Sequence, residues 1–450
     1  MAASVIDPLP VVVIALPFAS AAVLALVGSW RIGIWINAGS ATLLLLLAAR
    51  LPWHLHAPVP LLHIGVPETQ LVLLTSLVAM TTSWFNRRDV PASLATRSLD
   101  RRRVRLYHAA CQALVGAILL AVLSDNLMLT WLALTIAIAA AAGVTGAVRS
   151  QAAATAASHL LLLCGVGLLI ALLGTLLLYV AQEPHAATVR WSTLQSVPHH
   201  LPALHLACVF LLIGYGALAG VAPLHGWLPD AAAEGFAPGS IIVGALMVNA
   251  PLLVLLRLRA ALNPNPGLPA AVLIALGLIT LLLGACRLLA STDMRRTAAF
   301  AGMAQIGMIV VAIGIGGPAA TFAGWLPVTL LALARASVLQ CHGLPPTQLA
   351  AWTRSAGILA LAILPLFALF LLAKATVWLL LPFGIGVLLT SSALLARLPI
   401  SLPSVPVPRG GNLFEIATLA PIWLQLALVL LLVLAMPSPV VDWFNATAAR

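Results

Sequence analysis

Side chains able to move protons or bind ions are few in this 450-residue chain, and they are placed unevenly. The stretch GVAPLHGWLPDAAAEGFAPGS, residues 220–240, sets His225, Asp230 and Glu234 among Pro223, Trp227 and Pro229, between two apolar runs. His159 and Arg335 stand within apolar runs, and Lys374 stands at the end of one. An ionisable group at membrane depth is costly, so each is a functional candidate by default, as part of a proton or ion route. His225 has two readings: a member of a proton path, or a hydrogen bond that fixes a turn after Pro223. His159 either takes part in transfer or snorkels from a helix start, and Lys374 reads as a snorkelling helix-end cation. Arg335 reads as a structural ion pair or a clamp on carbonyls. Asp230 and Glu234 read as interfacial caps or partner contacts, and Asp125 as the cap at the outer end of the fifth span, near Asn126.

Other reactive residue types point to packing. His54, His56 and His63 share one loop without a Cys or carboxylate cluster, so no metal site is expected there. The five cysteines, Cys111, Cys164, Cys208, Cys286 and Cys341, lie in or beside apolar runs with no CxxC pair. They read as small core residues. Gly165, Gly167, Gly174, Gly216 and Gly220 read as helix-packing contacts. No ligand set for haem, flavin or an iron–sulfur cluster occurs, so no cofactor is expected in this chain.

These residues must be held by membrane helices. Hydrophobic residues make up 62% of the chain and charged residues 7%, with a mean hydropathy of +1.11. Soluble domains carry about 25% charged residues. Unbroken Leu/Ala/Val/Ile runs long enough to cross a core of about 30 Å indicate helices, since barrel strands would alternate. The expected fold is an all-α polytopic membrane protein of about fourteen transmembrane helices. The expected spans are 10–29, 32–50, 68–85, 107–123, 126–148, 158–181, 204–232, 239–258, 268–289, 298–316, 318–341, 355–374, 376–396 and 415–436. The seventh is too long for one straight crossing and contains Pro223, which predicts a break. The N-terminal MAASVIDPLP lacks a basic region and reads as the approach to a first anchor helix.

The formal net charge of +11 comes from 21 Arg and one Lys set between apolar runs, which indicates topology and not nucleic-acid binding. Seven Arg fall in residues 86–106, read as a loop on the cytoplasmic side. That choice puts both termini on the outer face. The same cluster is also suited to a peripheral subunit or anionic lipid.

Residues 214–259, beginning GYGALAGVAPLHGWLPDAAAEGFAPGS, resemble the signature of the antiporter-like membrane subunits. That family includes subunits of respiratory complex I, Mrp-type cation/proton antiporters and group 4 membrane-bound hydrogenases. Pro223, His225, Trp227, Leu228, Pro229, Asp230, Ser240 and Arg257 fall at motif positions. The stretch LSDNLMLTWLAL (123–134) resembles the family's fifth-helix entry, while SHLLLLCGVGLLIALLGTLLLY (158–179) and DMRRTAAFAGMAQIGMIVVAIGIGG (293–317) resemble the F-type subunit of hydrogenase-4 complexes.

The resemblance implies two inverted five-helix repeats, each with a broken helix. Three helices and the basic loop would occupy residues 1–106, the repeats 107–260 and 261–398, and a last helix 399–450. It also implies partners, namely other membrane subunits and a peripheral soluble subunit, and a proton-carrying axis of Lys, Glu and His. Here that axis is depleted. Thr135 stands for the fifth-helix Glu, Leu218 for the seventh-helix Lys, Asn249 for the eighth-helix Lys, and Ala304 with Gln305 for a Glu-His pair. His159 and Arg335 stand where Lys is usual. Leu218 cannot titrate, and Arg335 keeps its charge.

Three functions remain open on this reading. The first is a membrane subunit of a redox-linked proton-translocating complex with a partly degenerate pathway. The second is a non-conducting structural subunit. The third is a membrane subunit of an inorganic-carbon transport complex.

Overall fold

The computed structural model describes residues 7–55, 59–181, 190–194, 202–262, 267–341, 344, 348–372, 377–398 and 413–434. Among them there is no β-strand. In chain order the helices are α1 (Leu9–Leu26), α2 (Trp30–Ala48), α3 (Val66–Ala95), α4 (Arg101–Leu123), α5 (Leu127–Thr145), α6 (Gln151–Ala181), the single turn α7 (Trp191–Leu194) and α8 (Pro202–Leu218). There follow α9 (Trp227–Glu234), α10 (Ala237–Leu246), α11 (Asn249–Ala261), α12 (Gly267–Ala290), α13 (Met294–Ile315), α14 (Pro318–Gln340), α15 (Gln348–Leu372), α16 (Val377–Leu395) and α17 (Leu413–Leu434). Ten spans in the described residues are long and apolar enough to cross a membrane, with α10 and α11 together forming one of them. Helices are the answer to a solvent without hydrogen-bonding partners, because each satisfies its own backbone.

Two glycine seams bring helices to backbone contact. Between α6 and α8, a Cβ built on Gly214 would lie 2.5 Å from Ala171 N, and one on Gly174 would lie 2.9 Å from Ala207 O. Between α12 and α13, a Cβ on Gly307 would lie 2.4 Å from Leu281 N, and one on Gly284 2.6 Å from Ala304 N. Small residues drive such contacts where lipid supplies no hydrophobic contrast. The expected packing role holds for Gly167 and Gly174 but not for Gly165, which faces open space. Gly216 makes only ordinary contact, 3.7 Å from Val221.

Arginine side chains close helix C-termini, where carbonyls lack partners. Arg103 donates to Ala147 O at 3.1 Å beyond α5, and Arg259 to Gly314 O at 3.2 Å in the last turn of α13. Arg397 donates to Leu288 O and Ser291 O at 2.5 and 2.6 Å, at the end of α12. The planar five-donor fork suits this better than an ammonium, a physical reason for 21 Arg against one Lys.

The structure corrects two expected features. Residues 86–95 are the last turns of α3 and not a loop, with Arg87 lying over Trp35 and Trp84. Asp125 does not cap α5. Asn126 does, accepting from Leu129 N at 3.0 Å, while Asp125 accepts from Ser192 N and Oγ at 3.0 and 2.7 Å and so ties α7 to the bundle.

Candidate functional site at the broken helix

The seventh run breaks as expected. α8 stops at Leu218, Gly220 takes a φ of 82° that favours glycine, and a helix resumes at Trp227. The gap is tied on two sides. Trp227 Nε1 donates to Ala217 O at 2.9 Å, folding α9 back onto the end of α8. Ala222 N donates to Thr280 Oγ1 of α12 at 2.9 Å. Trp227, Leu228 and Pro229 are buried, so the motif's apolar members anchor the turn.

His159 and Asp230 meet across this hinge. His159 Nδ1 lies 3.1 Å from Asp230 Oδ2, and both are partly open to the surroundings. One helical turn along α6, Leu163 touches Gly226 inside the break. Asp230 is therefore a carboxylate facing an imidazole, the arrangement in which a proton can be held between two groups, and not a cap. Glu234 is not a cap either: its Oε1 accepts from Arg296 Nη2 at 2.9 Å. Arg295 donates to Gly235 O at 2.7 Å and to Ser240 Oγ at 2.6 Å, joining the motif serine to α13. His225 sits half-buried in the break itself.

The remaining candidates are deeper. Leu218 is fully buried, and its side chain lies against Gly167 of α6. Thr135 donates to Trp131 O of its own helix at 2.9 Å. Asn249 opens α11, buried, with its Nδ2 lacking a hydrogen-bond partner. Gln305 donates from Nε2 to Leu361 O at 2.7 Å, and its Oε1 has no partner. Arg335, on α14, is neither an ion pair nor a carbonyl clamp as expected. It is fully buried, and its Nε, Nη1 and Nη2 have no hydrogen-bond partner among the described residues. Lys374 lies outside the described residues.

One pair escaped the sequence reading. Arg257 Nη2 lies 2.8 Å from Glu68 Oε1, with the two side chains 10% and 3% exposed. Arg257 also donates to Ser124 O at 3.0 Å and Val122 O at 2.9 Å. Glu68 belongs to α3, whose buried face also carries Gln70, Thr81 and Asn86. Gln70 Oε1 accepts from Trp325 Nε1 at 3.0 Å, Gln70 Nε2 donates to Thr329 Oγ1, and Thr81 Oγ1 accepts from Gln425 at 2.7 Å. The available signal was a lone Glu followed by Gln, Thr and Ser within an otherwise apolar run. Among the described residues, no group of three His, Cys, Asp or Glu forms a metal site.

Comparison with known proteins agrees with this geometry. The family described as "NADH:quinone oxidoreductase/Mrp antiporter, TM" matches residues 124–344, which contain the whole broken-helix site. The hydrogenase-4 component F homolog of Methylacidiphilum infernorum (isolate V4) is 29% identical, with 96% of this chain and 98% of that protein aligned. In fold, the chain is similar to a chain of the Mrp complex from Dietzia sp. DQ12-45-1b, with a TM-score of 0.79 at 17% identity, covering 98% of this chain and 96% of that one. It is also similar to a chain of the membrane-bound sulfane sulfur reductase, an archaeal respiratory membrane complex, with a TM-score of 0.82 at 17% identity and coverages of 98% and 97%. A chain of Thermus thermophilus respiratory complex I gives 0.72 at 21% identity, with coverages of 94% and 98%. The long apolar helices, the Pro223–Pro229 hinge and these likenesses make the chain an integral membrane protein similar to the antiporter-like subunits of complex I, Mrp antiporters and hydrogenase-4-type complexes.

Proposed function

We propose that this chain is a membrane subunit of a multisubunit, redox-linked proton-translocating complex of hydrogenase-4 or complex I type, with a partly degenerate proton pathway. One observation carries the reading. The hinge is kept with its bonds, and a titratable His159–Asp230 pair lies across it. Just before it, Leu218 fills with hydrocarbon the place where the resemblance puts a lysine. An imidazole and a carboxylate can each take up and release a proton, whereas the side chains of Leu218 and Thr135 cannot. Protons would pass by His159, Asp230 and His225, with buried amides such as Asn249 as polar stations. Redox chemistry and its cofactors would lie in partner subunits, with a peripheral soluble subunit among them.

The finer architecture follows the same reading. The ten long spans, three shorter apolar helices and the polar-faced α3 support fourteen crossings. The two glycine seams, α6 with α8 and α12 with α13, support two repeats at 107–260 and 261–398. Only the first repeat has its expected break among the described residues, because α14 runs through Pro327 and α15 through Pro365. The Arg asymmetry supports termini on the outer face.

Gentle purification of the tagged chain from its native membranes tests the assembly. Co-purification with other membrane subunits and an iron–sulfur or flavin-bearing partner is expected. Recovery of the chain alone, or with a carbonic-anhydrase-like protein, would count against the redox assignment.

A further inference from the structure

Arg335 carries a permanent charge in the centre of the bundle, and no described side chain or carbonyl neutralises it. A guanidinium keeps its proton at physiological pH and brings five N–H donors. Burying such a charge without a partner is among the costliest arrangements a protein can hold. Something must therefore sit against it, and the structure narrows what that is. Full burial keeps lipid headgroups and the side chains of neighbouring subunits away. The described carboxylates are committed elsewhere: Glu68 to Arg257, Asp230 to His159 and Glu234 to Arg296. The acids at helix ends are also engaged, as with Asp100 and Asp293, each of which caps a helix.

The surroundings are shaped around the guanidinium. A Cβ at Gly302 of α13 would fall 2.9 Å from Cζ and Nη1 of Arg335 and 3.0 Å from Nε. A Cβ at Gly244 of α10 would fall 3.7 Å from Nη2. Glycine at 302 keeps a side chain off the planar group, and Gly244 borders it at ordinary contact distance. Gln305, one turn beyond Gly302 on α13, is also incompletely satisfied, through its Oε1.

We propose that Arg335, framed by Gly302 and Gly244, binds a small monovalent inorganic anion, chloride being the simplest, as its internal counter-ion. The parallel N–H groups of the fork suit a spherical halide or a planar oxyanion of the same charge. A lysine at this position could release its proton and stand neutral; the arginine cannot, so the counter-ion is a standing requirement. The proposal does not depend on whether the chain conducts protons.

Thermal unfolding of the detergent-purified protein tests it, at fixed ionic strength in chloride, nitrate or gluconate. A ligand bound only by the folded state raises the midpoint by mass action. Wild type is expected to gain a saturable midpoint rise in chloride or nitrate over gluconate. Arg335→Met is expected to fold, because it removes an uncompensated charge, and to lose the anion dependence. Should that variant fail to fold, Gly302→Ala, which crowds the guanidinium, is expected to need severalfold more chloride for the same rise. Equal wild-type midpoints in all three salts would overturn the proposal, leaving Arg335 solvated by water alone. Unchanged chloride dependence in Arg335→Met or Gly302→Ala would overturn it equally.

Discussion

At the scale of single residues, the energetic lever is whether a buried charge has a partner. Glu68 and Arg257 form a buried pair supplemented by two carbonyls, so breaking it from one side strands the other. Glu68→Gln should cost about 3–5 kcal/mol, and Glu68→Gln with Arg257→Met markedly less than the sum of the two single changes. A double-mutant cycle on chemical or thermal unfolding in detergent reads this. Leu218 gives the converse. Leu218→Lys restores the residue type implied at that position but places it in hydrocarbon against Gly167, and should destabilise by a similar 3–5 kcal/mol. In the sequence, His159 and His225 stand out by their place in or beside apolar runs and Asp230 by its motif position, where it reads as a cap. The pairing of His159 with Asp230 was not legible, because residues 71 positions apart meet only once α6 and α9 pack. Glu68 was missed for the same reason, since its partner lies 189 residues away.

At the scale of elements, two devices position the site. The α6–α8 seam sets how closely the hinge approaches His159. A Cβ at Gly214 would meet backbone at 2.5 Å, which cannot yield as a side-chain end can. Gly214→Val should therefore destabilise by about 1–3 kcal/mol or more, and should weaken a disulfide engineered between α6 and α8. The second device is the start of α4, where Asp100 accepts from Arg103 N at 2.7 Å and pairs with Arg149 at 2.6 Å. The donated N–H of Arg103, with the Arg149 and Arg103 charges behind it, holds this carboxyl below the usual aspartate range. A carboxylate lowered on folding contributes stability above its unfolded pKa, lost as pH falls through the folded value. Asp100→Asn, which keeps an acceptor but not the charge, should show a shallower loss of unfolding midpoint below about pH 4 than wild type. Hydrophobic run length made the helices legible to within a few residues at most ends. The extension of α3 to Ala95 was not, because its polar residues read as loop until Trp35 and Trp84 were seen to cover Arg87.

At the scale of the whole molecule, the shared feature is the helical scaffold. The fold is shared with subunits of Mrp, sulfane sulfur reductase and complex I assemblies, at identities of 17–21%. Composition alone indicated a helical membrane protein, and the spacing of Pro223, His225, Trp227 and Pro229 carried the resemblance to the antiporter-like subunits. The counter-ion state of Arg335 could not be read from sequence, since it depends on which helices enclose it.

The proton route proposed beside the hinge would run past His159, Asp230 and His225 without the lysines that the resemblance implies. Purified chain in liposomes carrying an internal pH-sensitive dye, under an imposed potassium-valinomycin potential, measures it most directly. Wild type should pass protons above the leak of empty liposomes, and His159→Leu with His225→Leu, equally folded and inserted, should fall severalfold toward that leak. Equal proton flux through wild type and the double variant would contradict the account.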